Sequence, residues 1–288
     1  MAIMNNICNL ATPFFILATL SIIMSLVYAY SGGTELFTIE NPDGRNAGFY
    51  LSSLSNSKFG DIIRPSFIYD EAGTYSFYLT VFALFRLVLN KKPSLTLIIL
   101  YCSIVTFSLT HFIICILFTI RLTNIKQLIF TTIPIILIAI SLLTTFSEKL
   151  NFFTDRISYN TVHENNRTAQ LHNFNGALLR NENILLFGNL ECLERNNSIC
   201  TEDGDISSSP VTPIYRLGII GFLIQISFLV LSLFNYKKPN CVFFAIVLNL
   251  ILLQRPFYTS IYYSFSIFIF IYYFLLLNSN FFGIKKNI

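Results

Sequence analysis

The chain has 288 residues, 54% of them hydrophobic and only 12% charged, with a mean hydropathy of +0.63. That balance lies outside the range of soluble domains and predicts an all-α polytopic membrane protein. The net charge of +4 gives no nucleic-acid partner, because the lysines sit in pairs beside apolar spans, where they act as topology signals.

In chain order, apolar spans run from about Pro13 to Tyr30, Tyr75 to Leu89, Leu95 to Ile120, Leu128 to Phe146, Leu217 to Phe234, Val242 to Leu253 and Ile261 to Leu277. Most approach the roughly 20 residues that a spanning helix needs. The first has no positively charged stretch before it and reads as a signal anchor, with a cleaved signal peptide as the alternative. Lys91 and Lys92, Arg121 with Lys126, Lys237 and Lys238, and Lys285 and Lys286 flank spans in short segments, which predicts a cytoplasmic side for all of them. The long polar segments, Ser31 to Gly73 and Ser147 to Pro213, then become outer loops of a single membrane domain covering residues 1–288.

As a single helix, Leu95 to Ile120 would reach about 39 Å, beyond an apolar layer of about 30 Å. Folded as a hairpin turning near Phe107 to His111, it returns Arg121 to the side of Lys92 and keeps every lysine pair inside. The expectation is about eight transmembrane helices, with the larger outer loop carrying an amphipathic helix.

Of the six cysteines, Cys8, Cys102, Cys115 and Cys241 lie in or beside apolar spans, where a thiol behaves as a small hydrophobe. Cys192 and Cys200 bracket Leu-Glu-Arg-Asn-Asn-Ser-Ile in the second outer segment. The oxidising side makes them a disulfide candidate; two unpaired thiols are the alternative. No closely spaced His and Cys accompany them, so no metal is expected there.

In the first outer segment, Asp61-Ile-Ile-Arg64-Pro-Ser-Phe-Ile-Tyr-Asp70-Glu71-Ala-Gly73 precedes a helix starting near Thr74. Its carboxylates either offset the helix dipole and cap free amides, or work beside Arg64, whose planar fork suits a phosphate, to orient or deprotonate a hydroxyl. In the second segment Arg156, Arg167 and Arg180 are widely spaced, and Ala169, Leu171, Phe174, Ala177, Leu178 and Ile184 recur as on one helix face. This predicts an amphipathic helix on the outer membrane surface, its arginines either snorkelling or facing a lipid-linked anion. His163 and His172 read as solvated, and Phe187-Gly188-Asn189 as a turn.

Arg86, inside an apolar span, reads as structural and snorkels towards Lys91 and Lys92. Arg255, beside Pro256, and Arg216, at a span entrance, read either as basic groups of the site or as interfacial anchors.

Arg64-Pro-Ser-Phe-Ile-Tyr-Asp-Glu71-Ala-Gly-Thr resembles the arginine, Glu-Pro-Gly-like turn and helix of the O-antigen polymerase and O-antigen ligase superfamily. Asn166-Arg167 through Phe187-Gly188-Asn189 is similar to that family's arginine, amphipathic helix and glycine segment. Ser207 to Phe222 resembles its entry to the next helix, with the Gly-hydrophobic-hydrophobic-Gly close at Gly218 and Gly221. The likeness covers about Asp61 to Phe234. It implies a polytopic glycosyltransferase acting on undecaprenyl-pyrophosphate-linked repeat units, as both donor and acceptor, at the outer face of a bacterial inner membrane. Arg64 and Arg167 match the two family arginines and Glu71 the acidic turn position. Arg156, Arg180 and Arg255 become candidate substrate-binding groups, and Glu71 and Asp205 candidate general bases by position.

No nucleotide sugar, other cofactor or metal is implied, because the lipid pyrophosphate is itself the leaving group and arginines can neutralise its charge. Besides the bilayer, a chain-length regulator is a candidate partner. The ligases' histidine before the helix near Ile214 has no counterpart here; Asp205, Ser207, Ser208 and Ser209 stand in that neighbourhood, favouring a polymerase over a ligase. The chain is short for the family at its N-terminal side, which keeps a non-catalytic subunit as a third reading. A flippase or transporter is the rival from another class, but the inverted repeats or paired broken helices it would show are not visible in the sequence.

Overall fold

A computed structural model of the chain describes residues 2–40, 46–56, 58–59, 62–69, 71–123, 166–189, 206, 211–233, 239–254 and 265. The described chain is mostly helical and groups into two compact units, Met1–Arg156 and Ile157–Ile288.

The first unit is organised on α1, Ala2–Tyr30, whose apolar run continues through Pro13 to the chain start and makes it longer than the span expected from Pro13. Among the described residues, α1 is the one helix long and apolar enough to cross a membrane. One flank of it, from Leu10 through Leu17, Leu20, Met24 and Val27, stays exposed. The other flank receives α2, Ala72–Val88, running antiparallel: Phe15 stacks on Phe82 with centroids 4.4 Å apart, and Thr19 meets Tyr75. Nearly every residue of α2 is buried, so it forms the centre of the unit.

The run from Leu95 to Ile120 is broken, as the hairpin expectation required. Pro93 opens α3, Pro93–Cys102, because proline at the first turn gives up no intrahelical bond. A 3-10 turn, Ser103–Thr106, tightens its end; Phe107 takes a left-handed conformation (φ 51); and Ser108 caps α4, Leu109–Leu122, accepting from the His111 N–H. α4 returns along α3: Cys115 Sγ donates to the Leu100 carbonyl (3.5 Å), and the hydroxyls of Tyr101 and Thr119 meet.

Between α1 and α2 the chain holds β structure that the sequence analysis does not predict. β1 (Phe37–Glu40), β2 (Asn46–Tyr50) and β3 (Ser53–Ser55) form an antiparallel meander in that order, with Phe37 opposite Phe49 and Gly48 opposite Ser55. A two-residue pair, β4 (Lys58–Phe59) with β5 (Ile62–Ile63), follows. Phe37 stacks on Phe49, and β2 buries Ala47 and Tyr50. The signal available was alternation in Phe37-Thr-Ile-Glu40 and Asn46-Ala-Gly-Phe-Tyr50, separated by Asn-Pro-Asp-Gly-Arg, a turn-forming sequence.

In the second unit, α5 (Asn166–Arg180) is the expected amphipathic helix, and it ends at Arg180. Ile184 lies beyond it, on the single turn α6, Ile184–Phe187. The buried face of α5 carries Gln170, Phe174 and Ala177, while Leu171 is exposed, so the apolar stripe is narrower than the sequence suggested. Phe174, Ala177 and Leu178 pack on Ile184, Ile206, Tyr215, Val211 and Ile214, so these side chains belong to the unit's own core.

α7, Thr212–Leu233, and α8, Pro239–Gln254, correspond to the expected spans near Leu217 and Val242. α7 is interrupted at Gly218 (φ 63, ψ −161). The expected spans from Leu128 and Ile261 lie outside the described residues. Of the shorter apolar helices in the first unit, α2 ends at its C-cap Leu89, and α3 and α4 are each cut short by the turn between them.

Candidate functional site

Arg64 directly follows β5 and is tied at its N–H to Ser55 Oγ (3.1 Å). Its side chain is half-buried and Nη2 donates to the carbonyl of Phe107 at 3.5 Å, on the tip between α3 and α4. The left-handed turn at Phe107 aims that carbonyl away from the helix ladder, which leaves it for the guanidinium. Glu71 is the N-cap of α2: its own carbonyl accepts from the Thr74 and Tyr75 N–H groups, at 3.0 and 3.2 Å, while its carboxylate makes no capping bond. The capping use weighed from sequence is therefore carried by backbone, and the carboxylate stands at the same end of α2 that Arg64 precedes. Asp70 lies outside the described residues.

Beneath this end runs a layer of hydroxyls. Thr19, Tyr75 and Ser103 share hydrogen bonds of 3.1 to 3.2 Å, joining α1, α2 and the 3-10 turn at one point. His111, fully enclosed, bridges two helices: Nε2 donates to the Leu100 carbonyl at 2.8 Å, and Nδ1 accepts from the Ser76 hydroxyl at 3.1 Å. A carbonyl can only accept, so the tautomer is fixed with the proton on Nε2. Above, Tyr69 stacks on Tyr78 with centroids 4.5 Å apart. Substituting Tyr75→Phe removes the shared hydroxyl without opening a cavity, and we expect a loss of about 1 kcal/mol. Thermal unfolding in detergent measures it; no loss at all would mean that Thr19 and Ser103 satisfy each other.

Arg86 stays inside and does not snorkel. With 4% of its surface exposed, it donates through Nε to Thr96 Oγ1 (2.8 Å), through Nη1 to Thr12 Oγ1 (2.9 Å) and through Nη2 to the Lys92 carbonyl (3.4 Å), and its guanidinium lies over the Phe82 ring. It ties α1, α2 and α3 together at the end where Lys91 Nζ donates to Asn9 Oδ1 (2.9 Å). The structural role expected of it holds, through neutral partners the sequence could not reveal.

In the second unit Arg167 opens α5, and Arg180 closes it, exposed, at the end where a cation suits the helix dipole. The glycine pair of this unit has a definite job. Gly188 (φ 73, ψ −177) and Gly218 occupy backbone conformations essentially restricted to glycine, and their backbones touch. A β-carbon on Gly188 would lie 2.6 Å from the Gly218 nitrogen, and one on Gly218 would lie 2.7 Å from the Phe187 nitrogen. Asn189 N–H donates to the Tyr215 carbonyl at 2.7 Å, satisfying a group that the break at Gly218 releases from the helix ladder. What read as a simple turn at Phe187-Gly188-Asn189 is a docking segment for the broken helix. Arg216 lies inside this contact, its carbonyl against Gly188. Arg156, Asp205, Arg255, Cys192, Cys200 and His163 lie outside the described residues, and His172 is exposed.

Cys8, Cys115 and Cys241 are buried and Cys102 is half-buried, all as free thiols, in keeping with their expected use as small apolar groups. No family model matches the chain, and neither the curated proteins nor the solved structures contain a match.

Proposed function

We propose that the chain is a multi-pass glycosyltransferase of the bacterial inner membrane that polymerises undecaprenyl-pyrophosphate-linked oligosaccharide repeat units at the outer face. In this proposal about eight apolar helices cross or enter the membrane, α3 and α4 among them as a hairpin. The observation that carries it is Arg64: a half-buried guanidinium held against the hairpin tip, one short turn before the helix that Glu71 caps. That is the order of groups in the motif the segment resembles. A guanidinium in such surroundings stabilises a departing pyrophosphate more strongly than one in water, and a nearby carboxylate can take the proton of an attacking sugar hydroxyl. Arg167, with the glycine-locked segment that follows it, supplies the second arginine motif.

The test is the polysaccharide ladder of cells lacking the gene, complemented with the wild-type chain, Arg64→Ala or Arg167→Ala. A deletion that leaves lipid core bearing one repeat unit, with the ladder restored by wild type and at least 100-fold weaker with either variant, is the expected result; that ratio corresponds to about 2.7 kcal/mol of transition-state stabilisation. Unsubstituted core in the deletion strain would turn the assignment to a ligase or a flippase. An unchanged ladder would show a non-catalytic chain.

A further inference from the structure

We propose that the Arg64 site lies inside the membrane, about half-way through it, where two half-depth elements entering from opposite faces meet. The occupant, an anionic headgroup on a lipid tail, rests on the function proposed above; the depth does not.

The levels can be read along α1. At its lower end Asn9 and Thr12 receive Lys91 and Arg86, marking the face where the lysine pair emerges. Ten residues up from Asn9, about 15 Å of helix, Thr19 meets Ser103 at the hairpin tip. That is half of an apolar layer of about 30 Å. The helix lengths agree. α3 has 10 residues and α4 has 14, about 15 and 21 Å, so neither completes a crossing and both bases, at Lys92 and Thr123, return to one face.

The upper half of α1 faces the strand segment instead of a helix. Ser21 Oγ donates to the Ser52 carbonyl, Ser25 Oγ to the Tyr50 carbonyl (2.5 Å), and Ser52 Oγ back to the Ser21 carbonyl (2.9 Å). Within the segment, Phe67 N–H donates to Ser53 Oγ (2.7 Å) and Ser66 Oγ to the Leu54 carbonyl (2.9 Å). Phe67 reaches down to Phe14, one turn below Thr19, with ring centroids 5.6 Å apart. Non-helical backbone is tolerated at membrane depth only when protein groups satisfy it, and here a spanning helix's serines do so.

At the meeting point Arg64 touches the Phe107 carbonyl. Thr106, which precedes Phe107, and Thr74, in the first turn of α2, have buried hydroxyls with no hydrogen-bond partner among the described residues. Two buried hydroxyls with spare bonding capacity, on the two elements whose ends Arg64 adjoins in sequence or in contact, favour a polar site over a structural seam. About 15 Å of packed helix closes it from the lysine-bearing face. A ligand that keeps a tail in the apolar layer can bring its charge to this depth.

Two measurements on the full-length chain in membranes test this, and neither reads polysaccharide, so they fail or succeed independently of the ladder. The first introduces Lys92→Cys and Thr123→Cys singly, with the native cysteines replaced by serine, and reacts sealed vesicles of both orientations with an impermeant maleimide. Both positions should label from the same face; labelling from opposite faces overturns the hairpin. The second keeps the native cysteines and uses the absence of tryptophan in the chain. In Phe112→Trp, an exposed position one turn from the tip, fluorescence should be quenched most by lipids brominated near the acyl-chain end. Strongest quenching by lipids brominated near the headgroup overturns the mid-membrane depth.

Discussion

Gly218→Ala should prevent the second unit from folding. The residue sits at φ 63 and ψ −161, where a side chain is strained by about 1–3 kcal/mol, and its β-carbon would press on backbone rather than on a movable side chain. Overpacking of that kind adds about 1–3 kcal/mol more, so the sum is about 2–6 kcal/mol. Gly188→Ala meets the same obstacles from the opposite side of the contact. Because both substitutions force apart the same two backbone segments, residues 186–188 and 216–218, the double variant should be little worse than either single one. Folded yield and melting temperature in detergent measure all three. By contrast, Gly176→Ala, with open space around its α-carbon inside α5, should be neutral or stabilising. A well-folded Gly218→Ala protein would mean that α7 can straighten without losing its dock.

Arg86→Met should lower stability by about 2–3 kcal/mol, and the loss should not depend on salt. The side chain fills its site with nearly its whole length, so methionine keeps much of the packing while removing three donated bonds to Thr96, Thr12 and the Lys92 carbonyl. All three acceptors are neutral, so screening has little to act on. Lysine is not an adequate substitute, since one ammonium cannot reproduce a planar fork that reaches acceptors on both α1 and α3. Thermal unfolding at low and high ionic strength reads the effect. A strong salt dependence would reveal an ionic partner.

The elements that follow from composition alone were legible in the sequence. Unbroken apolar runs gave α1, α2, α7 and α8 to within a few residues at most ends, and the lysine pairs required a return near Phe107. The helix break falls at Ser103–Ser108, slightly ahead of the expected turn, because Ser108 caps the next helix and Phe107 adopts the left-handed bend. Less could be read where structure depends on partners distant in the chain. The meander between α1 and α2 is not legible because its strands are only three to five residues long. Burial of the α5 face depends on Tyr215 and Ile206, which no local period encodes. The glycine pair is 30 residues apart in sequence, and its meaning appears only when the two backbones touch.

Of the candidate site, Arg64 and Glu71 were readable because an arginine among carboxylates before an apolar helix is conspicuous in a chain so poor in charge. Their surroundings were not readable. Serines and threonines are common everywhere in the sequence, and only their convergence at Thr19, Tyr75 and Ser103 gives them weight.

Three bulky residues of the first unit hold left-handed backbone: Leu51 at φ 54 in the turn between β2 and β3, Phe67 at φ 60 and Phe107 at φ 51. Each conformation costs about 1 kcal/mol that a glycine or asparagine would spare. A laboratory selection for heat resistance should therefore find its first gains at these three positions, Phe107→Gly foremost. If the tension there is what holds the Phe107 carbonyl against the guanidinium, those hardier variants will make shorter polysaccharide, and the selection will have traded output for durability.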